Sequence, residues 1–271
     1  MTYQELIDSV NLNILKTTYL FYGEEYYLMD YALKLIKDKF VDKNLEILNY
    51  QVLEGKDIYN ACETLPFMSQ KKIVVVNDLG VFNRKKKGEG DTFQKKDDEL
   101  KKYIESLEDY VTIIFIEKEG NVNKGKSIVK SIGKIGHVVE FKKLRGKELN
   151  EWIKNKFKEY GKNISYYSIK YFIEYSFYFS KELNKILYDL ENEIAKLSNF
   201  VGDKVEISKN DIENVMAKSL ETNIFSLLDS IGLKNINNSM RIFNEMISSN
   251  EYPLSILHMI IRQVRLKKHY A

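Results

Sequence analysis

The residues that could do chemistry most directly form a phosphate-loop pattern near the middle of the chain. Residues 120–127 read GNVNKGKS and fit G-x-x-x-x-G-K-[ST], with Gly120 and Gly125 as the two glycines. In such a loop the backbone amides cradle phosphates, the lysine (Lys126) reaches the terminal phosphates, and the hydroxyl of Ser127 binds magnesium. The segment follows a predicted strand and opens a predicted helix, so its local context fits nucleotide binding.

The place of this pattern in the chain argues against that function. Phosphate loops in nucleotide-binding folds normally follow the first strand, whereas this match follows the fourth predicted strand. One strand remains after it, which leaves little room for the acidic residue that would hold magnesium. In a lysine-rich chain of this length the four fixed positions coincide by chance about once in a hundred sequences. We favour a surface turn here and keep an AAA+-type ATPase as the alternative.

The exit of the first predicted strand lies where a phosphate loop belongs, and it lacks the necessary residues. Gly23 is followed by Glu24 and Glu25, with no lysine or serine nearby. Acidic side chains at a helix N-terminus complement the helix dipole but repel a nucleotide phosphate. The sequence therefore predicts a nucleotide-type fold whose expected site is blocked.

Composition excludes several other classes of function. The net charge of +3 gives no global signature of polyanion binding, and three scattered histidines offer no metal-ligand spacing. The single cysteine, Cys62, excludes an internal disulfide and fits a cytoplasmic protein; we interpret it as a core residue. The apolar runs are too short to span a membrane. No catalytic set stands out, and we expect neither a cofactor nor a metal.

In the first half of the chain, predicted strands alternate with predicted helices, and these elements hold the two loops discussed above. Such alternation predicts an open parallel sheet covered by helices on both faces. The predicted strands are 18–22, 45–53, 72–77, 110–117 and 137–141, and the predicted helices are 24–40, 57–64, 95–107 and 125–134.

Only helical periodicity follows the sheet, so the fold class is α/β plus all-α. The pattern predicts an α/β domain over residues 1–142, a small helical domain over 143–206 and a second helical domain over 207–271. Ser208 is the predicted N-cap of a short helix in the last domain. The longer predicted helices are 145–160, 165–179 and 181–200, then 222–233, 235–249 and 253–269.

A turn of unusual composition joins the helix 57–64 to the third strand. It consists of Leu65, Pro66, Phe67 and Met68, hereafter the apolar turn. A helix-to-strand junction usually lies at the surface and carries polar residues. An exposed apolar turn is a candidate to insert into a pocket of another protein.

An ordered set of segments resembles the delta subunit family of bacterial DNA polymerase III, the clamp-loader "wrench". The resemblance runs through essentially the whole chain in the right order. It is carried by residues 19–25, 65–76, 190–197, 223–231 and 253–265, which read YLFYGEE, LPFMSQKKIVVV, LENEIAKL, NIFSLLDSI and PLSILHMIIRQVR.

The resemblance implies an AAA+-like first domain that does not hydrolyse ATP, a helical lid and a helical collar, within a DNA polymerase (nucleotidyltransferase) holoenzyme. The implied partners are the sliding clamp (beta subunit), the gamma/tau and delta prime subunits through the collar, and primer-template DNA, with no membrane. The family usually has further collar helices, so we expect a truncated collar.

The resemblance also implies that the apolar turn binds the sliding clamp, with Phe67 as its aromatic anchor. Family members often place a leucine directly beside this phenylalanine, where the present chain has Pro66. The side chains that insert into the clamp would then be Phe67 and one aliphatic neighbour, hereafter the plug. Either Leu65 or Met68 supplies its aliphatic half.

Overall fold

The computed structural model describes two compact units, Met1–Leu144 and Arg145–Ala271. The described residues are 1–54, 58–83, 91–118, 122–180, 183–216 and 220–248, with parts of 253–261. The predicted three-part division of the chain, with boundaries after residues 142 and 206, stays a prediction.

A five-stranded parallel sheet forms the centre of the first unit. Its strand order is β2-β3-β4-β1-β5, and every neighbouring pair is parallel. β3 and β4 consist largely of β-branched residues. Both strands are almost completely buried, as expected for strands covered on both faces. The strands are β1 (Thr18–Gly23), β2 (Tyr50–Leu53), β3 (Lys72–Asn77), β4 (Val111–Glu117) and β5 (His137–Phe141).

Helices cover this sheet, and the predicted α/β class is confirmed. One face packs against the last three helices of the unit through a core that includes Val74, Phe115 and Ile132. The first helix begins with a capping box in which Thr2 and Glu5 satisfy each other's backbone amides. The helices are α1 (Tyr3–Asn11), α2 (Tyr26–Phe40), α3 (Glu46–Asn49), α4 (Ile58–Glu63), α5 (Asp91–Glu105) and α6 (Ser127–Ile135).

The prediction of one strand over residues 45–53 is wrong in its first half. Lys43–Leu45 form a 3-10 turn and Glu46–Asn49 form α3, so that β2 begins only at Tyr50. The apolar residues of this stretch suggested a strand, but a tertiary hydrogen bond to Asn49, described below, favours the helical turn.

The second unit is mainly helical, as predicted. Two two-residue strands, β6 (Asn163–Ile164) and β7 (Glu206–Ile207), pair in parallel and are too short for a periodicity signal. The helix predicted over 181–200 begins only at Leu187, and Ser208 caps the short helix as predicted. The helices are α7 (Gly146–Glu159), α8 (Tyr166–Ser176), α9 (Leu187–Phe200), α10 (Lys209–Val215), α11 (Leu220–Gly232) and α12 (Ile236–Ser248).

The last two helices share a small core of their own. Ile224 and Leu227 of α11 pack with Ile242 and Met246 of α12, and Ile256 joins them from the helical residues that follow. The end of the predicted helix 253–269 lies outside the described residues. Among the described helices, none is long and apolar enough to cross a membrane.

Candidate functional site

The apolar turn lies at the surface with its hydrophobic side chains in water. Leu65 is 68% exposed, Phe67 53% and Met68 82%, while Pro66 is half-buried. The turn leaves α4 and leads directly into the amino end of the buried strand β3. The apolar turn therefore connects a helix and a strand that both contribute residues to the core of the unit.

A buried asparagine fixes the position of the turn. Asn49, the last residue of α3, is fully buried, and its Oδ1 accepts a hydrogen bond from the Phe67 amide at 2.8 Å. Its Nδ2 donates to the Phe67 carbonyl oxygen at 2.9 Å. One side chain therefore satisfies both backbone groups of Phe67 and ties this residue to the end of α3. Sequence reasoning missed Asn49, because its partner lies 18 residues away.

Neither packing nor backbone preference explains a methionine at position 68. Met68 adopts the left-handed conformation, with φ of +48°, which favours glycine or asparagine. Its side chain is also the most exposed of the turn. Its exposure and its left-handed backbone make Met68 a candidate contact residue for a partner.

Beneath the turn, Cys62 and Lys72 face the core rather than the solvent. Burial raises the pKa of the Cys62 thiol to about 11, so the thiol is protonated at neutral pH and is a poor nucleophile. This agrees with its predicted role as a core residue. Lys72 is fully buried, and its Nζ has no hydrogen-bond partner among the described residues. Burial lowers the pKa of the Lys72 ammonium, although the neighbouring Cys62 raises it.

A second possible site is the crevice where β1 and β4 end. Connections leave these adjacent strands in opposite directions, which is where open α/β sheets bind nucleotides. Here the amides of Glu24 and Glu25 both donate to the Phe141 carbonyl oxygen, at 3.1 and 3.2 Å. A Cβ on Gly23 would lie 2.2 Å from the same oxygen. The amides that would bind a phosphate are already occupied, and β5 presses directly against the loop.

Two buried carboxylates lie at the ends of β1 and β4. Glu25 is fully buried and Glu117, at the end of β4, is nearly so. The Glu117 carboxylate accepts hydrogen bonds from the Gly80 amide at 2.9 Å and from Asn83 Nδ2 at 3.1 Å. Negative charge at this point repels a phosphate, as the sequence predicted for the exit of β1.

The phosphate-loop pattern is used for structural contacts. Ser127 does open α6, but Lys126 Nζ donates to the Val81 carbonyl oxygen. Lys124 Nζ, in the same segment, bonds the Glu140 carboxylate at 3.1 Å. Gly120, the first glycine of the pattern, lies outside the described residues. Within the described part of the chain, no three His, Cys, Asp or Glu side chains cluster as metal ligands.

Taken together, the sheet order, the blocked crevice and the helices beyond the sheet define a class. The first unit is an open parallel α/β domain of the nucleotide-binding type with no open phosphate cradle at β1, and helices follow it.

Comparisons with known proteins identify the family. The family model of the DNA polymerase III delta subunit matches residues 19–142, and the model of its C-terminal domain matches residues 221–270. The chain belongs to the DNA polymerase III delta subunit family. The predicted resemblance is confirmed, and the ATPase alternative is not favoured.

Individual relatives agree with this family. The DNA polymerase III subunit delta of Bacillus subtilis strain 168 is 29% identical over 253 residues, covering 92% of this chain and 70% of the relative. A probable DNA polymerase III subunit delta of Aquifex aeolicus strain VF5 is 26% identical, covering 89% and 67%. A solved structure of the Bacillus subtilis DNA clamp loader delta protein matches with a TM-score of 0.62 and 26% identity, covering 97% of this chain and 77% of that one.

Proposed function

We propose that this chain acts in the DNA polymerase III clamp loader, where it binds the sliding clamp and helps to open it for loading onto primed DNA. Family membership supports the loader role, and the exposed apolar turn is the single observation that carries the mode of binding. The setting is cytoplasmic, and the contribution of this chain is binding rather than catalysis.

Phe67 is the anchor of the proposed contact. Its backbone is already fixed by Asn49, so little conformational freedom is lost when the ring enters a pocket. Phe67 is 53% exposed, which for a phenylalanine is about 100 Å² and corresponds to about 2.5 kcal/mol on burial. Insertion opens the clamp only to the extent that the open clamp binds the turn more tightly than the closed clamp does.

A second surface supports assembly with other loader subunits, the gamma/tau and delta prime subunits. The helical region from α11 onward buries one apolar face in a shared core and leaves other apolar residues in water. Assembly through this collar would cover them, and primer-template DNA would then be bound by the complete loader. The exposed residues are Ile231, Leu233, Ile236, Met240, Phe243, Ile247, Leu254, Leu257 and Ile261.

Calorimetric titration of the host's sliding clamp with the full chain tests the role of the apolar turn. Phe67→Ala should weaken binding about 60-fold, since each 1.4 kcal/mol is worth a factor of ten. Comparison of Leu65→Ala with Met68→Ala identifies the aliphatic half of the plug. Leu12→Ala, at a similarly exposed leucine of the same unit, is the matched control and should bind normally.

Two outcomes contradict different parts of the proposal. Unchanged affinity of Phe67→Ala would remove the apolar turn from the interface. Absence of any binding between the unaltered chain and the clamp would overturn the clamp-loader role itself.

A further inference from the structure

The short helix α3 carries a second pair of apolar residues in water. Ile47 is 89% exposed and Leu48 is 48% exposed, in a helix of only four residues. Isoleucine is among the residue types most often buried in folded proteins, and a side chain this exposed contributes almost nothing to the core. Single exposed apolar residues are common. Whether this pair belongs to a binding surface therefore depends on its connection to the apolar turn.

Asn49 connects this pair to the apolar turn. It is the next residue after Leu48, and its side-chain amide makes both hydrogen bonds to the backbone of Phe67, at 2.8 and 2.9 Å. Asn49 is fully buried and the two bonds are partly buried, so they tie α3 directly to the backbone of the turn. The exposed side chains of α3 therefore lie on a segment that is hydrogen-bonded to the backbone of the turn.

The helical form of this segment has a consequence for exposure. An extended strand would place Ile47 and Leu48 on opposite faces of the sheet, with one of them turned into the core. The helical turn leaves both in water while Asn49 alone points inward. Glu46 anchors the start of α3 through a salt bridge to Lys37 at 2.9 Å.

We propose that α3 supplies the second half of the clamp-binding surface, with Ile47 and Leu48 contacting the sliding clamp beside Phe67. This inference rests on the proposed function of the apolar turn. The occupant is the clamp, because Asn49 ties the segment that carries this pair to the turn proposed to bind the clamp. The site is composite, built from two segments that lie apart in sequence, with Asn49 as the joint between them.

Titration of the sliding clamp with the full chain tests the inference through Ile47→Ser and the double variant Ile47→Ser/Leu48→Ser. We expect about fivefold to twentyfold weaker binding for Ile47→Ser and a larger loss for the double variant. Ile14→Ser is the matched control, because Ile14 is an exposed isoleucine of the same unit, in the connection that precedes β1. All three side chains are exposed, so thermal unfolding should stay close to that of the unaltered chain.

The outcomes separate this inference from the proposal on which it rests. Weaker binding by both Phe67→Ala and Ile47→Ser supports the composite site. If Phe67→Ala weakens binding while Ile47→Ser behaves like Ile14→Ser, α3 is outside the interface and the inference fails alone. If neither variant changes affinity, the assignment of the turn fails as well. Loss of binding to another loader subunit, with clamp affinity intact, assigns α3 to that subunit and also overturns the inference.

Discussion

Replacing Lys72 by methionine should stabilise the first unit. Lys72 begins β3, is fully buried, and its Nζ has no hydrogen-bond partner among the described residues. A buried donor without a partner keeps the full cost of leaving water, about 1–3 kcal/mol. Methionine has nearly the same length and carries no polar group at its end, so Lys72→Met should raise the free energy of unfolding by about that amount.

The pH dependence gives this prediction a second signature. Burial lowers the pKa of Lys72 below its ordinary value of 10.5 in the folded state, so the unfolded chain binds the proton more tightly. The destabilisation by charge is fully present below the folded pKa, shrinks as pH rises from that pKa to 10.5, and is absent above 10.5. The advantage of Lys72→Met over the unaltered chain should therefore narrow as pH approaches 10.5.

Urea unfolding followed by far-UV circular dichroism at neutral and alkaline pH measures both effects. For a unit of this size we also expect a rise in Tm of about 3–9 °C. Lys71→Met is the matched control, since Lys71 Nζ donates to the Asp109 carbonyl oxygen and its loss should not stabilise the fold. A lower urea midpoint for Lys72→Met would refute the reasoning, because it would mean that the buried ammonium is stabilised in the folded state.

Two further predictions concern the crevice at β1. Gly23→Ala should lower the free energy of unfolding by at least about 2 kcal/mol, because its Cβ would meet the Phe141 carbonyl oxygen at 2.2 Å and its φ is +136°. Gly133→Ala, where a Cβ meets nothing within 4 Å, should instead be neutral or slightly stabilising in the same denaturation series. Equilibrium binding of labelled ATP with magnesium should show no saturable site, and Lys126→Ala should leave this unchanged. Saturable binding that is lost on Lys126→Ala would restore the ATPase alternative.

Local sequence patterns were sufficient to predict the α/β class and several of its strands. The strands over 72–77 and 137–141 match the predicted bounds, because their short length, their β-branched and aromatic residues and the flanking turn signals together favour a buried strand. The blocked exit of β1 was also readable, because charge at a helix N-terminus is a local property. The exposed apolar turn follows from composition alone, since Pro66 ends the preceding helix and leaves its neighbours in a turn.

What the sequence did not show depends on contacts between distant residues. The apolar pair Ile47 and Leu48 suggested a strand, yet the hydrogen bonds of Asn49 to Phe67 favour a helical turn there. The occupied amides of Glu24 and Glu25 likewise depend on the carbonyl of Phe141, more than a hundred residues later. No local pattern signals either partner, and both decide what the candidate sites can bind.

Hydroxyl-radical footprinting of the chain with and without saturating sliding clamp tests the central claim most directly. Met68 is 82% exposed in the free chain, and methionine is readily oxidised, so its sulfoxide is easily followed by mass spectrometry. Met240, an exposed methionine of the second unit, serves as the internal reference. We expect the clamp to protect Met68 and to leave Met240 unchanged. Undiminished oxidation of Met68 at saturating clamp would contradict binding through the apolar turn.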